Sequence, residues 1–135
     1  MKIILRRSAA VVMALIFVSS VMLSFSLVQK PWVVPAKYQT MKNPVASNAT
    51  SIATGKELYT KHCKSCHGAK GLGDGPKSVN LKSKMRSFAS KEFKAQKPGY
   101  IYYESFVGRD EMPNFEKKIL EENERWSIVN YLLTL

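Results

Sequence analysis

The sequence predicts an all-α fold, because its periodic segments follow the helical repeat and no two of them form an evident strand pair. Three segments carry this prediction: one beginning near residue 54, one over residues 100–107 and one over residues 122–133. A shorter helix is expected at residues 87–95. An apolar run precedes all of them, so a hydrophobic export or anchor helix is expected before the fold.

The first of these helices is expected to begin at a capping box. Residues 54–57 are Thr-Gly-Lys-Glu, with Thr54 as the N-cap and a carboxylate three residues later to satisfy the first amide groups. Leu58 and Tyr59 then give the helix an apolar side. Residues 68–76 contain four glycines and a proline, which favours a loop with positive φ angles over a helix.

The helix over residues 100–107 is predicted from its aromatic and aliphatic residues. Ile101 and Phe106 are expected to face inward with Tyr102 or Tyr103, Pro98-Gly99 to break the chain beforehand and Gly108 to end the helix. Aromatic residues also favour a β-strand, but no partner strand is evident in the sequence.

The last helix is expected over residues 122–133. Trp126, Val129 and Leu133 recur at the spacing of one helix face. Acidic residues at positions 121, 122 and 124 suit the positive end of the helix dipole.

The segment before residue 51 is expected to lie outside the helical domain. An uncharged, largely apolar run over residues 8–28 follows Lys2, Arg6 and Arg7, which is the order of a secretory segment. The run is also long enough to span a bilayer, which takes about 20 residues, so residues 1–28 are a signal-anchor or a cleaved signal peptide. Residues 29–50 contain three prolines and are expected to be extended, with part of the segment against the domain.

Charge is unevenly distributed along the chain, whose formal net charge is +11. Residues 77–97, the basic segment, contain seven Lys or Arg and one acid, whereas residues 104–124, the acidic segment, contain seven acids and three basic residues. The basic segment is either a solvated surface or a docking face for an acidic protein or an anionic membrane. Nucleic acid is not expected as a partner, because no groove-reading motif is present and the chain is expected to be exported.

Residues 63–67 are Cys-Lys-Ser-Cys-His, the attachment signature of c-type haem. Two thiols one helical turn apart can each form a thioether with a haem vinyl group, and His67 then offers an imidazole nitrogen to the iron. Cys63 and Cys66 are the only two cysteines, so one covalent haem c is predicted and no disulfide. A zinc site, a thioredoxin-like redox pair and a structural disulfide are weaker alternatives, because further metal ligands and a βαβ pattern are not evident and a disulfide leaves His67 unexplained.

A second axial ligand for the iron has several candidates in the sequence. Met112 is predicted, because Pro113 biases it toward an extended backbone that can project its sulfur toward the haem. A thioether is a soft ligand that favours ferrous iron. His62 abuts the first cysteine and is too close to reach the opposite face of the ring. Met41 and Met85 are the other candidates, and Met112 as a core or surface methionine is the remaining alternative.

Five stretches of the sequence together resemble the class I, single-haem bacterial cytochromes c. They are Gly55–Tyr59, Cys63–Gly68, Gly71–Pro76, Gly108 through Met112-Pro113, and Trp126–Leu132. The resemblance covers roughly residues 44–135 and is closest to members with a C-H-G-x-x-G-x-G-D-G-P run. Residues 81–86 depart from many relatives, because they are basic and lack proline, so no partner is carried over.

The resemblance implies a small class I cytochrome c fold over residues 51–135, in which the first and last helices cross near the haem. It implies that Cys63 and Cys66 hold the ring, that His67 and Met112 hold the iron, and that the protein is an electron carrier rather than an enzyme, with no small-molecule substrate. The basic segment adds the expectation of redox partners with an acidic docking surface.

The apolar run predicts that the protein lies on the periplasmic side of the cytoplasmic membrane. It is expected to be anchored through residues 8–28 or to be soluble after signal cleavage. A haem subunit of a larger membrane complex, and a small haem peroxidase or sensor, remain alternatives.

Overall fold

The described part of the protein, residues 31–135 of a computed structural model, contains six α-helices and two short helical turns. The helices are α1 (Ala36–Gln39), α2 (Ala49–His62), α3 (Lys64–His67), α4 (Lys91–Lys94), α5 (Pro98–Tyr102) and α6 (Glu122–Leu132). A 3-10 turn covers Ser78–Asn80, and a π-helical turn covers Tyr103–Val107. The described residues contain an isolated bridge between Arg109 and Met112 but no strand, which confirms the all-α prediction.

Helices α2 and α6 make the most extensive contact between elements, and a glycine allows their close crossing. A Cβ atom added at Gly55 would collide with the carbonyl oxygen of Ser127 and would lie 2.9 Å from the Cβ atom of Tyr131. Glycine costs a helix about 1 kcal/mol relative to alanine, but here it lets the backbones touch. The crossing of the first long helix with the last helix, which the resemblance implies, is therefore present.

Helix α2 begins earlier than the sequence predicts. The Asn48 side chain accepts a hydrogen bond from the amide of Ser51 at 2.9 Å, and the Ser51 hydroxyl accepts one from the amide of Asn48 at 3.1 Å. These reciprocal bonds form a capping box with serine in the place expected of glutamate. The predicted N-cap, Thr54, lies inside the helix, so that prediction is wrong.

Helices α4 and α5 also differ from their predicted bounds. Helix α4 has four residues. It begins after Ser90, because the Ser90 side chain accepts a hydrogen bond from the amide of Phe93 and caps the helix there. Pro98 does not break the chain as predicted but occupies the first turn of α5, where a missing amide donor is harmless. The π-helical turn then continues α5 to Gly108, which ends the helical stretch with a φ of 70° as predicted.

The core is formed where α2, α5, the π-helical turn and α6 meet. Helix α6 is buried over Trp126–Leu132, and the inward positions predicted for the preceding helix are buried, with Tyr102 rather than Tyr103 as the innermost tyrosine. Leu133 is 36% exposed, so its predicted inward position is wrong. The helix ends at Leu132, and this residue fills the core in its place.

Residues 32–45, here named the strap, pack against the helices. Val34 and Tyr38 are buried, and the Tyr38 ring lies 4.8 Å from that of Tyr103. The Asn43 side chain donates to Oδ1 of Asn130 in α6 at 2.8 Å. The prediction that part of this segment lies against the domain is confirmed, but α1 interrupts the predicted extended chain. The predicted boundary at residue 51 falls within α2.

Within residues 31–135, none of the helices is both long and apolar enough to cross a membrane. The predicted export or anchor run, residues 8–28, lies outside the described residues.

Candidate haem site

One turn of backbone carries the two thiols and the imidazole of the predicted site. Cys63 ends α2 and immediately precedes α3. Its carbonyl oxygen accepts hydrogen bonds from the amides of Cys66 at 3.1 Å and His67 at 3.0 Å. Both cysteines are free thiols. The structure therefore brings three of the four predicted site residues together on α3 and the residue that precedes it.

The His67 side chain has the properties of a metal ligand. Burial lowers the pKa of the imidazole to about 4, so the ring is neutral at pH 7. Both ring nitrogens are buried, and neither has a hydrogen-bond partner among the described residues. Leaving a buried polar group unpaired costs about 1–3 kcal/mol, which a bond from nitrogen to iron would offset. The Phe88 ring stacks on this imidazole at 4.6 Å and 22°.

The surroundings of the thiols suit thioether bonds. Burial, with a further contribution from Cys66, raises the pKa of the Cys63 thiol to about 12, so the sulfur is held in an uncharged form. A thioether is also uncharged, and an apolar environment accepts it at little cost. Across the described residues, no three His, Cys, Asp or Glu side chains form a cluster that could hold a metal ion.

The glycine-rich loop after His67 fixes the backbone of α3. The amides of Gly73, Gly75 and Lys77 donate to the carbonyl oxygens of His67, Cys66 and Ser65 at 2.9, 3.1 and 2.9 Å. These bonds satisfy carbonyl groups that the end of a helix leaves unpaired.

The predicted positive φ angles are present in this loop, for example 80° at Gly73. A Cβ atom at Gly75 would lie 2.6 Å from the carbonyl carbon and oxygen of Cys66. Glycine is therefore required for the loop to lie directly against the haem-attachment turn.

The fourth predicted site residue lies on a separate loop. Residues 106–115, here named the methionine loop, are closed by a hydrogen bond from the amide of Phe115 to the carbonyl of Phe106 at 2.8 Å. At the tip, the Met112 amide donates to the carbonyl of Arg109 at 2.8 Å, and Asp110 takes a φ of 50°. Met112 is half-buried and packs against the hydrophobic core.

The methionine loop contacts the segment that carries the thiols. The ring of His62, the residue before Cys63, lies edge-on to Phe115 at 6.2 Å. The other two candidate methionines lie elsewhere: Met41 packs beside Gly99, and a Cβ atom at Gly73 would lie 2.9 Å from the Cβ atom of Met85. Met85 is therefore beside the loop that binds the His67 backbone.

Several residues around the site were not anticipated from the sequence. Phe88 is fixed by a 2.8 Å hydrogen bond from its amide to the carbonyl of Gly71, and its only sequence signal is an aromatic residue within the basic segment. Trp32 in the strap contacts Arg109 in the methionine loop, with the guanidinium carbon 4.2 Å from the centre of the indole ring. No pattern in the sequence connects residues so far apart.

The basic segment meets the acidic segment at two places. The Glu111 carboxylate accepts hydrogen bonds from the amides of Lys82 and Ser83 at 2.8 and 3.0 Å, and these bonds lower its pKa. Arg86 pairs with Glu104 at 3.3 Å. The side chains of the lysines in the basic segment are exposed, so most of its charge faces solvent.

The fold and the donor set define a haem-binding helical protein, and comparison with known families agrees. The sequence profile of the family Cytochrome c matches residues 52–135, which is more than half of the chain. The protein therefore belongs to the cytochrome c family, and its cofactor is covalently bound haem c with its iron. No curated protein matches the chain significantly.

Proposed function

We propose that the protein is a single-haem electron carrier in which Cys63 and Cys66 hold the ring and His67 and Met112 hold the iron. The observation that carries this proposal is the buried, neutral and unpartnered imidazole of His67 directly after two free thiols. When bound, the haem supplies an iron that gains or loses one electron. The residues of the chain orient the ligands and exclude water, and no substrate is turned over.

The position of Met85 supports Met112 as the second ligand. The two axial ligands of a haem lie on opposite faces of the ring. Met85 lies beside Gly73, whose amide bonds to the His67 carbonyl, so we expect it to be on the same side of a bound haem as His67. Met112 lies on the methionine loop, which is closed by its own hydrogen bond between Phe115 and Phe106. This loop contacts the thiol-bearing segment through the rings of Phe115 and His62.

The test of covalent attachment is a double substitution of the cysteines. A denaturing gel stained for haem should show a band at the mass of the protein, and Cys63→Ala with Cys66→Ala should abolish that band. Lys64→Ala with Ser65→Ala changes the same turn without removing a thiol and should keep it. A stained band from the double cysteine variant would contradict the proposal.

We also propose that the partners are redox proteins with an acidic docking surface. The support is the exposed lysines of the basic segment, because exposed charge steers encounter and is screened over about 8 Å at physiological ionic strength. The second-order rate with the native partner should fall as salt rises. Lys91→Gln with Lys94→Gln should reduce this dependence more than Lys37→Gln with Lys42→Gln in the strap. A rate independent of salt would assign the lysines to solubility alone.

The proposed location is the periplasmic side of the cytoplasmic membrane, with residues 8–28 as anchor. The support is the length and position of that apolar run after basic residues. Because the strap packs on the helices, residues 32–45 would not serve as a free tether. Carbonate extraction should leave the protein with the membrane. A soluble form beginning near Leu27 would contradict the anchor and leave the electron-carrier proposal intact.

A further inference from the structure

We infer that Trp32 and Arg109 are positioning residues for Met112, so that the strap before the helical domain holds the methionine loop in place. This inference rests on the proposed role of Met112 as an iron ligand. It assigns a function to a contact that lies outside the haem-attachment turn and joins residues 77 positions apart in the sequence.

The contact is a cation–π pair supported by a second ring. The Arg109 guanidinium lies over the Trp32 indole at 4.2 Å, and the indole meets the Tyr103 ring edge-on, with 6.0 Å between centroids and 85° between planes. The same guanidinium lies 3.7 Å from the carboxylate of Asp110. The Arg109 side chain thus lies between the Trp32 ring of the strap and the Asp110 carboxylate of the methionine loop.

The backbone of Arg109 transmits this constraint to the proposed ligand. Its carbonyl oxygen accepts the hydrogen bond from the Met112 amide, and the two residues form the isolated bridge of the loop. The turn between them uses the positive φ of Asp110 and begins at Gly108, where a Cβ atom would collide with the carbonyl oxygen of Met112. A residue at φ near 50° is strained and persists only when its surroundings fix it.

The strap is a fixed support for Trp32. Tyr38 packs on Tyr102 and Tyr103, with ring centroids 6.3 and 4.8 Å apart. A Cβ atom at Gly99 would collide with the Tyr38 carbonyl oxygen, so the strap backbone lies directly on α5. Asn43 then ties the far end of the strap to α6. Trp32 therefore offers Arg109 a platform that is anchored through several independent contacts.

Loss of either partner should free the turn and weaken the hold on the Met112 thioether. We would measure the affinity of the ferric holoprotein for added imidazole, which competes with the methionine for iron. Trp32→Leu keeps an apolar side chain but removes the aromatic face, and Arg109→Gln removes the cation. Each should raise the imidazole affinity about three- to tenfold, the range expected from loss of one cation–π contact. Arg109→Lys should restore much of the wild-type value.

The matched control is Lys37→Gln. Lys37 also lies over a strap ring, 4.6 Å from the centre of Tyr38, and its substitution removes the same charge. It should leave the imidazole affinity unchanged. Far-UV circular dichroism and the yield of haem-stained protein report whether each variant folds. If Trp32→Leu does not fold, the two Arg109 variants are enough to test the inference.

Two outcomes would overturn the inference, and they differ. If wild-type ferric protein shows the long-wavelength absorption band of methionine ligation but Trp32→Leu and Arg109→Gln bind imidazole as wild type does, the inference fails alone. If the wild type lacks that band, Met112 is not the ligand and the inference fails with that assignment, while covalent haem and electron transfer still stand.

Discussion

The His67 side and the Met112 side of the candidate haem site are built in different ways. His67 lies in a turn whose carbonyl groups are bonded by amides of the next ten residues, so its position depends on contiguous backbone. Met112 lies in a loop that is contacted by the Trp32 ring of the strap, by backbone amides of the basic segment and by the His62 ring at the end of α2. A ligand held by local backbone depends on the glycines that let that backbone close, whereas a ligand held by distant segments can be tuned through its contacts with them.

The largest effect is expected on stability, when the close contact between the glycine-rich loop and the turn that carries His67 is disrupted. Gly75→Ala would place a Cβ atom 2.6 Å from the carbonyl of Cys66, and neither backbone can yield easily. The free energy of unfolding of the holoprotein should fall by about 2–4 kcal/mol, measured by denaturant titration. Lys77→Ala keeps the bonding amide and should change stability little. A stable Gly75→Ala variant would contradict the backbone account of this side.

The second-largest effect is expected on the reduction potential, when the proposed ligand on the Met112 side is replaced. Met112→His replaces a soft thioether with a harder imidazole, so the reduction potential should fall by about 0.1 V or more, as measured by redox titration. Met85→Leu should leave the potential near the wild-type value. The opposite pattern would move the ligand assignment to Met85 and erase the proposed difference between the two sides.

A change remote from both sides should lower global stability without moving either ligand. Asn48→Ala removes the N-cap of α2 and should cost about 1 kcal/mol of unfolding free energy, with the potential unchanged. Thr54→Ala, inside the helix, should change stability by less than about 0.5 kcal/mol. Equal losses from the two substitutions would argue against the observed start of the helix.

The smallest effect should come from the exposed contact between the basic segment and the methionine loop. Glu111→Gln weakens the bonds from the Lys82 and Ser83 amides, so the long-wavelength band of the ferric protein should be lost at slightly lower denaturant. The helical circular dichroism midpoint should not move. Glu57→Gln, which removes the same charge from α2, should move neither transition. Parallel movement of both transitions would show that the loop does not open separately.

The two sides also differ in how far the sequence reveals them. The haem-attachment turn and the positive φ angles of its loop were predictable, because the residues that interact are neighbours in the sequence. The Trp32–Arg109 contact and the stacking of Phe88 on His67 were not, since they depend on how distant segments pack. The start of α2 was missed because Thr54 and Glu57 also match a capping box, whereas at the observed start Ser51 takes the position where glutamate is expected.

The packed strap has a practical consequence for the preparation of shortened forms of the protein. The family match begins at residue 52, which suggests a natural place to cut. A fragment from that residue would lose the capping box of α2, the two buried strap residues and the aromatic cover over Tyr102 and Tyr103. Expression of the haem domain should therefore start no later than Trp32, and a shorter fragment would expose apolar rings that invite aggregation.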